Sequence, residues 1–106
     1  MVTLEEFKKL ELKIARIKEA QDHPNADRLY VLTIEIADKT KQIVAGIRGS
    51  YKKEDLPGRL IVVIDNLEPA VLRGVESQGM LLAASDETGI SILSPDREIK
   101  TGSIVK

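Results

Sequence analysis

The stretch from residue 72 to residue 84 contains the side chains best suited to hold a ligand, and reads Leu-Arg-Gly-Val-Glu-Ser-Gln-Gly-Met-Leu-Leu-Ala-Ala. Its first half is polar and includes Arg73 and Ser77, whereas its second half, from Met80 onward, is almost wholly apolar. Gly79 permits a sharp bend or a close approach of another group to the backbone. A polar turn that leads directly into a core strand is a good place to present side chains to a ligand. The start of any buried strand has the same pattern, so the rest of the chain must decide whether this stretch binds a ligand.

Charged side chains earlier in the chain could extend such a site. Arg28 lies at the start of an alternating strand, where a guanidinium is well placed to bind phosphate; a surface ion pair is the alternative. Arg16 and Lys18 could face a ligand from the first strand, with solvated surface charges as the alternative. His23, the only histidine, precedes Pro24, which restricts it to extended conformations, so we expect a structural turn residue there.

The composition excludes most catalytic and metal-binding chemistry. The 106 residues suit one domain with a single hydrophobic core. The absence of cysteine excludes disulfides and thiol catalysis, and a single histidine excludes a histidine-based metal cluster. The carboxylates form no recognisable acid–base or metal-binding pattern. We therefore expect no enzymatic activity, no cofactor and no small-molecule substrate.

The charge balance gives no sign of a nucleic-acid partner. The net charge is −1, and a basic balance is the usual mark of a nucleic-acid-binding protein. The three aromatic residues, Phe7, Tyr30 and Tyr51, provide few platforms on which unpaired bases could stack. No apolar run approaches ~18 residues and no signal peptide is evident, so we expect a cytoplasmic protein without membrane contact.

The N-terminal third contains two distinct patterns. Thr3 and Glu6 form a capping-box pattern ahead of apolar residues at helical spacing, which predicts a short helix over residues 3–10. In the strand that follows, the apolar positions change parity between Ile14 and Ala15. We expect a bulge or a sharp bend there, because such a feature lets one strand serve two sides of a small barrel.

Five stretches predict strands, since each has alternating apolar positions or an apolar run rich in β-branched residues. They cover about residues 12–18, 30–36, 42–47, 60–64 and 77–84, the last with residues 81–84 in the core. A short helix within residues 50–56 separates the third strand from the fourth. This order is typical of an all-β OB-fold, a five-stranded barrel whose open face binds oligonucleotides or oligosaccharides. A split barrel or an SH3-like barrel would give most of the same signals.

Four segments resemble a known family. They are residues 11–17 (Glu-Leu-Lys-Ile-Ala-Arg-Ile), 23–30 (His-Pro-Asn-Ala-Asp-Arg-Leu-Tyr), 42–47 (Gln-Ile-Val-Ala-Gly-Ile) and 66–84, which ends Ser-Gln-Gly-Met-Leu-Leu-Ala-Ala. In order and spacing they resemble the tRNA-binding domain found as a free-standing bacterial protein and as the C-terminal domain or β subunit of methionyl-tRNA synthetases. Endothelial monocyte-activating polypeptide contains a similar domain. The departures keep charge: Glu11, Lys13, Arg16 and Arg28 replace the family's usual aspartate, arginine, lysine and lysine.

The resemblance implies a fold, an activity and an assembly. It implies one OB-fold domain over residues 1–106, with the barrel at about 11–85, an N-terminal helix and a C-terminal hairpin-like extension. It implies structure-specific, largely sequence-independent tRNA binding that assists aminoacylation, beside a methionyl-tRNA synthetase catalytic subunit or as a free-standing factor. It also implies a homodimer formed through residues 3–10 and 88–106. The alternative, favoured by the net charge, is a protein-interaction module that docks on a synthetase or another enzyme, with RNA contact incidental.

The resemblance associates a Ser-x-x-Met pair, here Ser77 and Met80, with the tRNA-binding face, and side-chain chemistry then suggests a role for each candidate. Arg28 and Arg73 would contact phosphates, and Ser77 would offer its hydroxyl to a phosphate or a 2′-OH. Met80 would offer apolar surface to a base or sugar, with core packing as an equal alternative. Four further cations could be outer members of one basic face with these arginines: Lys13, Arg16, Lys18 and Arg48. Asn66 could hydrogen-bond a base edge, although an asparagine before a turn more often bonds its own backbone.

Overall fold

Alternating and β-branched apolar residues give the chain ten strands and one short α-helix in the computed structural model, which describes all 106 residues. The elements are, in order, α1 (Leu4–Phe7), β1 (Leu12–Asp22), β2 (Tyr30–Ile36), β3 (Lys39–Ala45), a 3-10 helix (Lys53–Asp55), β4 (Leu60–Ile64), β5 (Ala70–Leu72), β6 (Val75–Ser77), β7 (Met80–Leu81), β8 (Ala83–Asp86), β9 (Gly89–Ile92) and β10 (Ile104–Val105).

The main sheet curls into a barrel. Its strands lie in the order β3-β2-β1-β4-β7, all neighbours antiparallel, and β10 also pairs with β1. The far edges meet where Gln78 N donates to Gln42 O at 2.8 Å and Gln42 N donates to Gln78 Oε1 at 2.9 Å. A helical turn separates the third strand from the fourth, as the sequence predicts. The predicted all-β, OB-like fold is therefore confirmed.

The barrel interior is built from the apolar faces of β1 to β4. In β2, Tyr30, Leu32, Ile34 and Ile36 are all buried while the residues between them are half-buried, which confirms the alternation read from the sequence. The run Leu60–Ile64 forms the predicted strand, in which every residue after Leu60 is buried. These two strands contribute much of the main core, which lies inside the barrel.

Strand β1 buries apolar side chains on both of its faces. Ala15 and Ile17 belong to the main core, whereas Leu12 and Ile14 form a second cluster with β4 and the C-terminal tail. The predicted bulge does not lie at the change of parity, since β1 pairs with β4 without interruption from Leu12 to Arg16. The register shift comes later, between Ile17 and Glu19, where β1 pairs with β2. The parity changes because both faces of this strand are covered.

The N-terminal helix is shorter than predicted. It ends at Phe7, followed by a turn, although the capping box forms as expected: Glu6 N donates to Thr3 Oγ1 at 3.2 Å and Thr3 N to Glu6 Oε1 at 3.1 Å. Leu4, Phe7 and Leu10 are all exposed, so this domain does not cover the apolar face of the helix. None of the helices is long and apolar enough to cross a membrane.

The predicted strand over residues 77–84 is wrong in extent and in burial. The segment is divided among β6, β7 and β8, and only Leu81 of its second half is buried. Ala83 and Ala84 are exposed because β8 leaves the barrel and pairs only with β9, as a two-stranded ribbon. The apolar residues 81–84 predicted a strand that is buried along its length, but in this segment the barrel core ends at Leu81.

Gly79 allows β7 to approach β4, and its replacement should destabilise the barrel. A Cβ at this position would lie 2.9 Å from the Ile64 carbonyl oxygen, a backbone atom that cannot rotate away. We expect Gly79→Ala to lower the free energy of unfolding by about 1–3 kcal/mol, as overpacking does. Gly49→Ala is the matched control, since no atom lies within 4 Å of its Cβ. Urea unfolding would measure both variants; equal stability of the two would contradict this account.

Candidate nucleic-acid interface

His23 fastens the β5–β6 hairpin to the loop between β1 and β2. Its ring is buried, and Nδ1 accepts a hydrogen bond from Asn25 N at 2.9 Å. Nε2 lies 2.9 Å from Leu72 O. Since Nδ1 is an acceptor and the carbonyl can only accept, Nε2 carries the proton and donates it to Leu72 O. The prediction that His23 is a structural turn residue is confirmed, and its partner in the hairpin could not be read from the sequence.

A second pair of contacts joins the same loop to the tip of the hairpin. Asn25 Nδ2 donates to Arg73 O at 3.3 Å, and an Arg73 guanidinium nitrogen donates to Asn25 O at 3.2 Å. Each of the two residues therefore donates a side-chain hydrogen bond to the backbone carbonyl of the other. The guanidinium of Arg73 is positioned by the loop and not by its own hairpin alone.

The hairpin turn places Arg73 in an unfavourable backbone region. Leu72 pairs with Val75, so Arg73 and Gly74 form a two-residue loop, with φ angles of 53° and 91°. This loop needs positive φ at both positions, for which Asn-Gly is the usual choice. An arginine at positive φ costs free energy that an asparagine would largely avoid. Strain of this kind is typical of residues kept for a functional side chain.

Arg28 and Arg73 line the same open hollow. It has a volume of about 400 Å³ and its walls come from the loop after β1 and from the hairpin tip. Neither guanidinium has a carboxylate within salt-bridge distance, although Asp27 also lines the hollow. The structure thus brings together the two arginines that the sequence singled out, and their contact with tRNA stays a prediction.

An apolar cleft adjoins this hollow, and Leu29 lines both. The cleft has a volume of about 460 Å³ and lies between the end of β3, the β5–β6 hairpin and the segment from β7 into β8. Leu72 and Met80 line it and are 41% and 48% exposed. Of the two alternatives for Met80, core packing is therefore wrong, because the side chain lies at the surface of an open cleft. Sequence reasoning missed Leu29 and Leu72, because leucines next to arginines look like ordinary strand residues.

The other predicted cations lie outside the hollow and the cleft. Lys13, Arg16 and Arg48 all pair with carboxylates, and only Lys18 is without an ion pair. Their partners are, in the same order, Asp65 at 2.9 Å, Glu98, and Asp22 at 3.6 Å. Arg48 also lies over the ring of Tyr30, 5.9 Å from its centroid. None of these four side chains lines the hollow with Arg28 and Arg73, and their place on one basic face stays a prediction.

Ser77 and Asn66 make structural hydrogen bonds within the chain. Ser77 is 5% exposed; its hydroxyl accepts from Val44 N at 2.9 Å and donates to Gly79 O at 2.8 Å. Asn66 uses both ends of its amide on the segment before β1, accepting from Glu11 N at 2.8 Å and donating to Lys9 O at 2.7 Å. Their predicted contacts with RNA stay untested, and neither residue lines the hollow or the cleft.

Asp65 draws two lysines onto the end of the barrel. Its side chain is 7% exposed and lies 2.9 Å from Lys13 Nζ and 2.6 Å from Lys41 Nζ. Burial raises the pKa of Asp65, but the hydrogen bonds from Lys41 and Lys13 outweigh it and hold the pKa below its ordinary value. The hydrogen bond to Asp65 raises the pKa of Lys13 in turn. This triad links β1 and β3 to the residue after β4, which was not evident from the sequence.

The family of the chain follows from comparison with known proteins. Residues 12–104 match the family model described as "Putative tRNA binding domain". The chain therefore belongs to the tRNA-binding domain family. Its curated relatives include methionine–tRNA ligases: that of Thermococcus kodakarensis is 51% identical over 105 residues, and that of Pyrococcus furiosus 50% identical over 105 residues. These alignments cover 99% of this chain but 14% of each relative, so the chain spans about one-seventh of their length.

Solved structures with the same fold cover the whole chain. The MetRS related protein from Pyrococcus horikoshii superposes with a TM-score of 0.92 at 30% identity, covering 100% of this chain and 98% of that one. The CsaA chaperone protein from Picrophilus torridus gives a TM-score of 0.93 at 28% identity, with complete coverage of both chains. The whole fold, including the segments before and after the barrel, is thus shared by a MetRS related protein and by a CsaA chaperone protein.

Replacing Asp65 should make the free energy of unfolding depend less on pH in the acid range. Because folding lowers the pKa of this carboxyl, its contribution is complete above the ordinary value of 3.8 and is lost as the pH falls through the lower, folded-state pKa. We expect Asp65→Asn to lower the free energy of unfolding by about 1–3 kcal/mol at pH 7, and the difference from wild type to shrink below pH 3.8. The exposed Asp38→Asn is the control in urea unfolding at several pH values. A difference that is constant with pH would contradict the ion-pair account.

Proposed function

We propose that this chain binds tRNA through its sugar–phosphate backbone, largely irrespective of sequence, and assists aminoacylation as an accessory of a methionyl-tRNA synthetase. The observation that carries the proposal is the pair Arg28 and Arg73, free of carboxylate partners and together in one hollow of a tRNA-binding-domain family member. Guanidinium groups bind phosphate oxygens in two-pronged geometry. The role is binding and not catalysis.

The positions of the aromatic residues support recognition without base sequence. Tyr30 is buried with its hydroxyl donating to Tyr51 O at 2.6 Å, and the Tyr51 hydroxyl accepts from Ile92 N at 3.0 Å. Phe7 lies on α1, away from the hollow and the cleft. No aromatic ring therefore lines the candidate site as a stacking platform. Binding then depends on phosphate contacts, which give modest affinity, weak sequence preference and strong salt dependence.

The curated relatives support a role in aminoacylation. Several are methionine–tRNA ligases in which the matching segment is 14% of the length. A small module that holds tRNA next to a catalytic unit raises the local tRNA concentration and so improves capture. In this proposal the chain performs that task either alone or beside a separate methionyl-tRNA synthetase subunit in the cytoplasm.

We further propose a homodimer formed through residues 3–10 and 88–106. Asn66 ties the segment after α1 to the barrel, and β10 pairs with Leu12 and Lys13, so both segments lie at the same end of β1. Phe7 and Ile104 are 40% and 74% exposed there. Exposed apolar residues from two adjacent segments suit a self-complementary interface between two copies.

A protein-interaction module is the second candidate function. The net charge of −1 and the uncovered apolar face of α1 favour it, since that face could dock on another enzyme in place of a second copy. In this case RNA contact is incidental, and removal of the two arginines would leave the activity of the chain unchanged.

Removing the two arginines should weaken tRNA binding without unfolding the protein. Arg28→Ala and Arg73→Asn should each weaken binding about tenfold, corresponding to ~1.4 kcal/mol. Asparagine is chosen at residue 73 because it tolerates positive φ. Lys39→Ala, an exposed cation outside the hollow and outside both proposed dimer segments, is the control. Filter binding of total tRNA measures the affinities and thermal unfolding checks the fold; wild-type affinity in both hollow variants would overturn the proposal.

The dimer should dissociate when its apolar face is charged. Light scattering should give twice the monomer mass for the wild-type chain, and Phe7→Lys should give the monomer mass because a buried, unpaired ammonium destabilises the interface. Val71→Lys is the matched control: Val71 is 69% exposed and lies outside both segments, so the dimer should persist. A wild-type monomer at micromolar concentration, or a dimeric Phe7→Lys, would refute this assembly.

A further inference from the structure

We infer that the apolar cleft beside the arginine hollow accepts one unstacked nucleobase of the bound tRNA, while the phosphate of the same nucleotide lies in the hollow. The inference rests on the proposed tRNA binding and adds to it a subsite, a ligand group and the residues that hold it. Met80 forms part of the base-contacting wall, and Arg28 and Arg73 hold the phosphate.

The cleft is an exposed apolar concavity next to the two unpaired arginines of the hollow. Nearly all of its lining is apolar, including Leu29, Ile47, Leu72 and Leu82 as well as Met80. Its volume of about 460 Å³ is within the range of sites that bind small organic groups. Exposed apolar concavities of this kind mark ligand or partner sites, because leaving them in water is unfavourable.

Charge complementarity identifies the occupant. The hollow next to the cleft contains two guanidinium groups without carboxylate partners, so the ligand should carry an anion adjacent to an apolar group. Leu29 lines both spaces, which places them within the reach of neighbouring groups of one molecule. A nucleotide has this composition, and an aliphatic peptide does not. Only an unpaired base that has left its stack can present its faces to such a cleft.

Methionine suits a base of any identity. The thioether is flexible and polarisable and makes favourable contacts with aromatic rings. It has no strong donor or acceptor with which to distinguish one base edge from another. A base held by Met80 and neighbouring leucines is therefore bound for its ring and not for its hydrogen-bonding pattern, which agrees with weak sequence preference.

Methyl NMR tests the inference directly, because the chain has two methionines and only one lies in the cleft. With the methionine methyl groups labelled with ¹³C, Met1 at the exposed terminus serves as the internal control for Met80. We expect total tRNA and AMP to move the Met80 methyl signal upfield by ring-current shielding, with Met1 unchanged. Ribose 5-phosphate, which has the phosphate but no base, should leave the Met80 signal in place.

The outcomes separate this inference from the proposed function. If tRNA binds in filter assays but leaves the Met80 methyl unmoved, or if ribose 5-phosphate moves it as much as AMP does, the base subsite is refuted and tRNA binding stands. If tRNA does not bind at all, both proposals fail. A short leucine-rich peptide that moves the Met80 signal when tRNA and AMP do not would overturn the inference in favour of a peptide site.

A pair of variants gives the affinity readout. Met80→Ala should weaken tRNA binding about three- to tenfold. Val71→Ala should leave it unchanged, because Val71 lies outside the cleft although it is the more exposed of the two, at 69% against 48%. The loss should be the same at low and high salt, since no charge is removed. Equal affinities of the two variants, with unchanged thermal midpoints, would contradict a base-contacting role for Met80.

Discussion

Strand β1 pairs with three other strands and is buried on both faces, and the rest of the structure depends on this double coverage. Ala15 and Ile17 belong to the core inside the barrel, while Leu12 and Ile14 form a second cluster with side chains of β4, against which Val105 of the tail packs. The strand then pairs with β2 up to Asp22, directly before His23. The barrel thus fixes the loop that contains His23, and the loop in turn holds the β5–β6 hairpin and with it Arg73.

The distribution of charge matters more than its sum. The net charge of −1 conceals a division between cations that are paired and cations that are free. Lys13 and Lys41 share Asp65, and Arg16 and Arg48 also have carboxylate partners, so these positive charges are balanced within the chain. A local positive field arises where such partners are missing, and ligands respond to that local field and not to the total. A nearly neutral domain can therefore bind a polyanion.

Local sequence patterns predicted the strands and helical turns well, whereas the geometry of the candidate site depends on contacts between residues far apart in the chain. The alternation of β2, the capping box of Thr3 and Glu6 and the helical turn before β4 depend on neighbours in sequence, and each formed as predicted. The role of Ser77 depends on Val44, far away in the chain, and the exposure of Met80 depends on where the barrel ends. The sequence singled out Arg28 and Arg73. It did not predict the hydrogen bonds by which His23 and Asn25 hold the β5–β6 hairpin against the loop after β1.

The central claim is that tRNA is bound through phosphate contacts, and the salt dependence of wild-type binding tests it most directly. Each phosphate neutralised by a cation releases bound counterions and adds about 0.7–0.9 to the slope of log affinity against log salt concentration. With Arg28 and Arg73 both engaged, we predict that tRNA affinity falls with a slope of about −1.4 or steeper. An affinity that does not change between low and high salt would contradict the account.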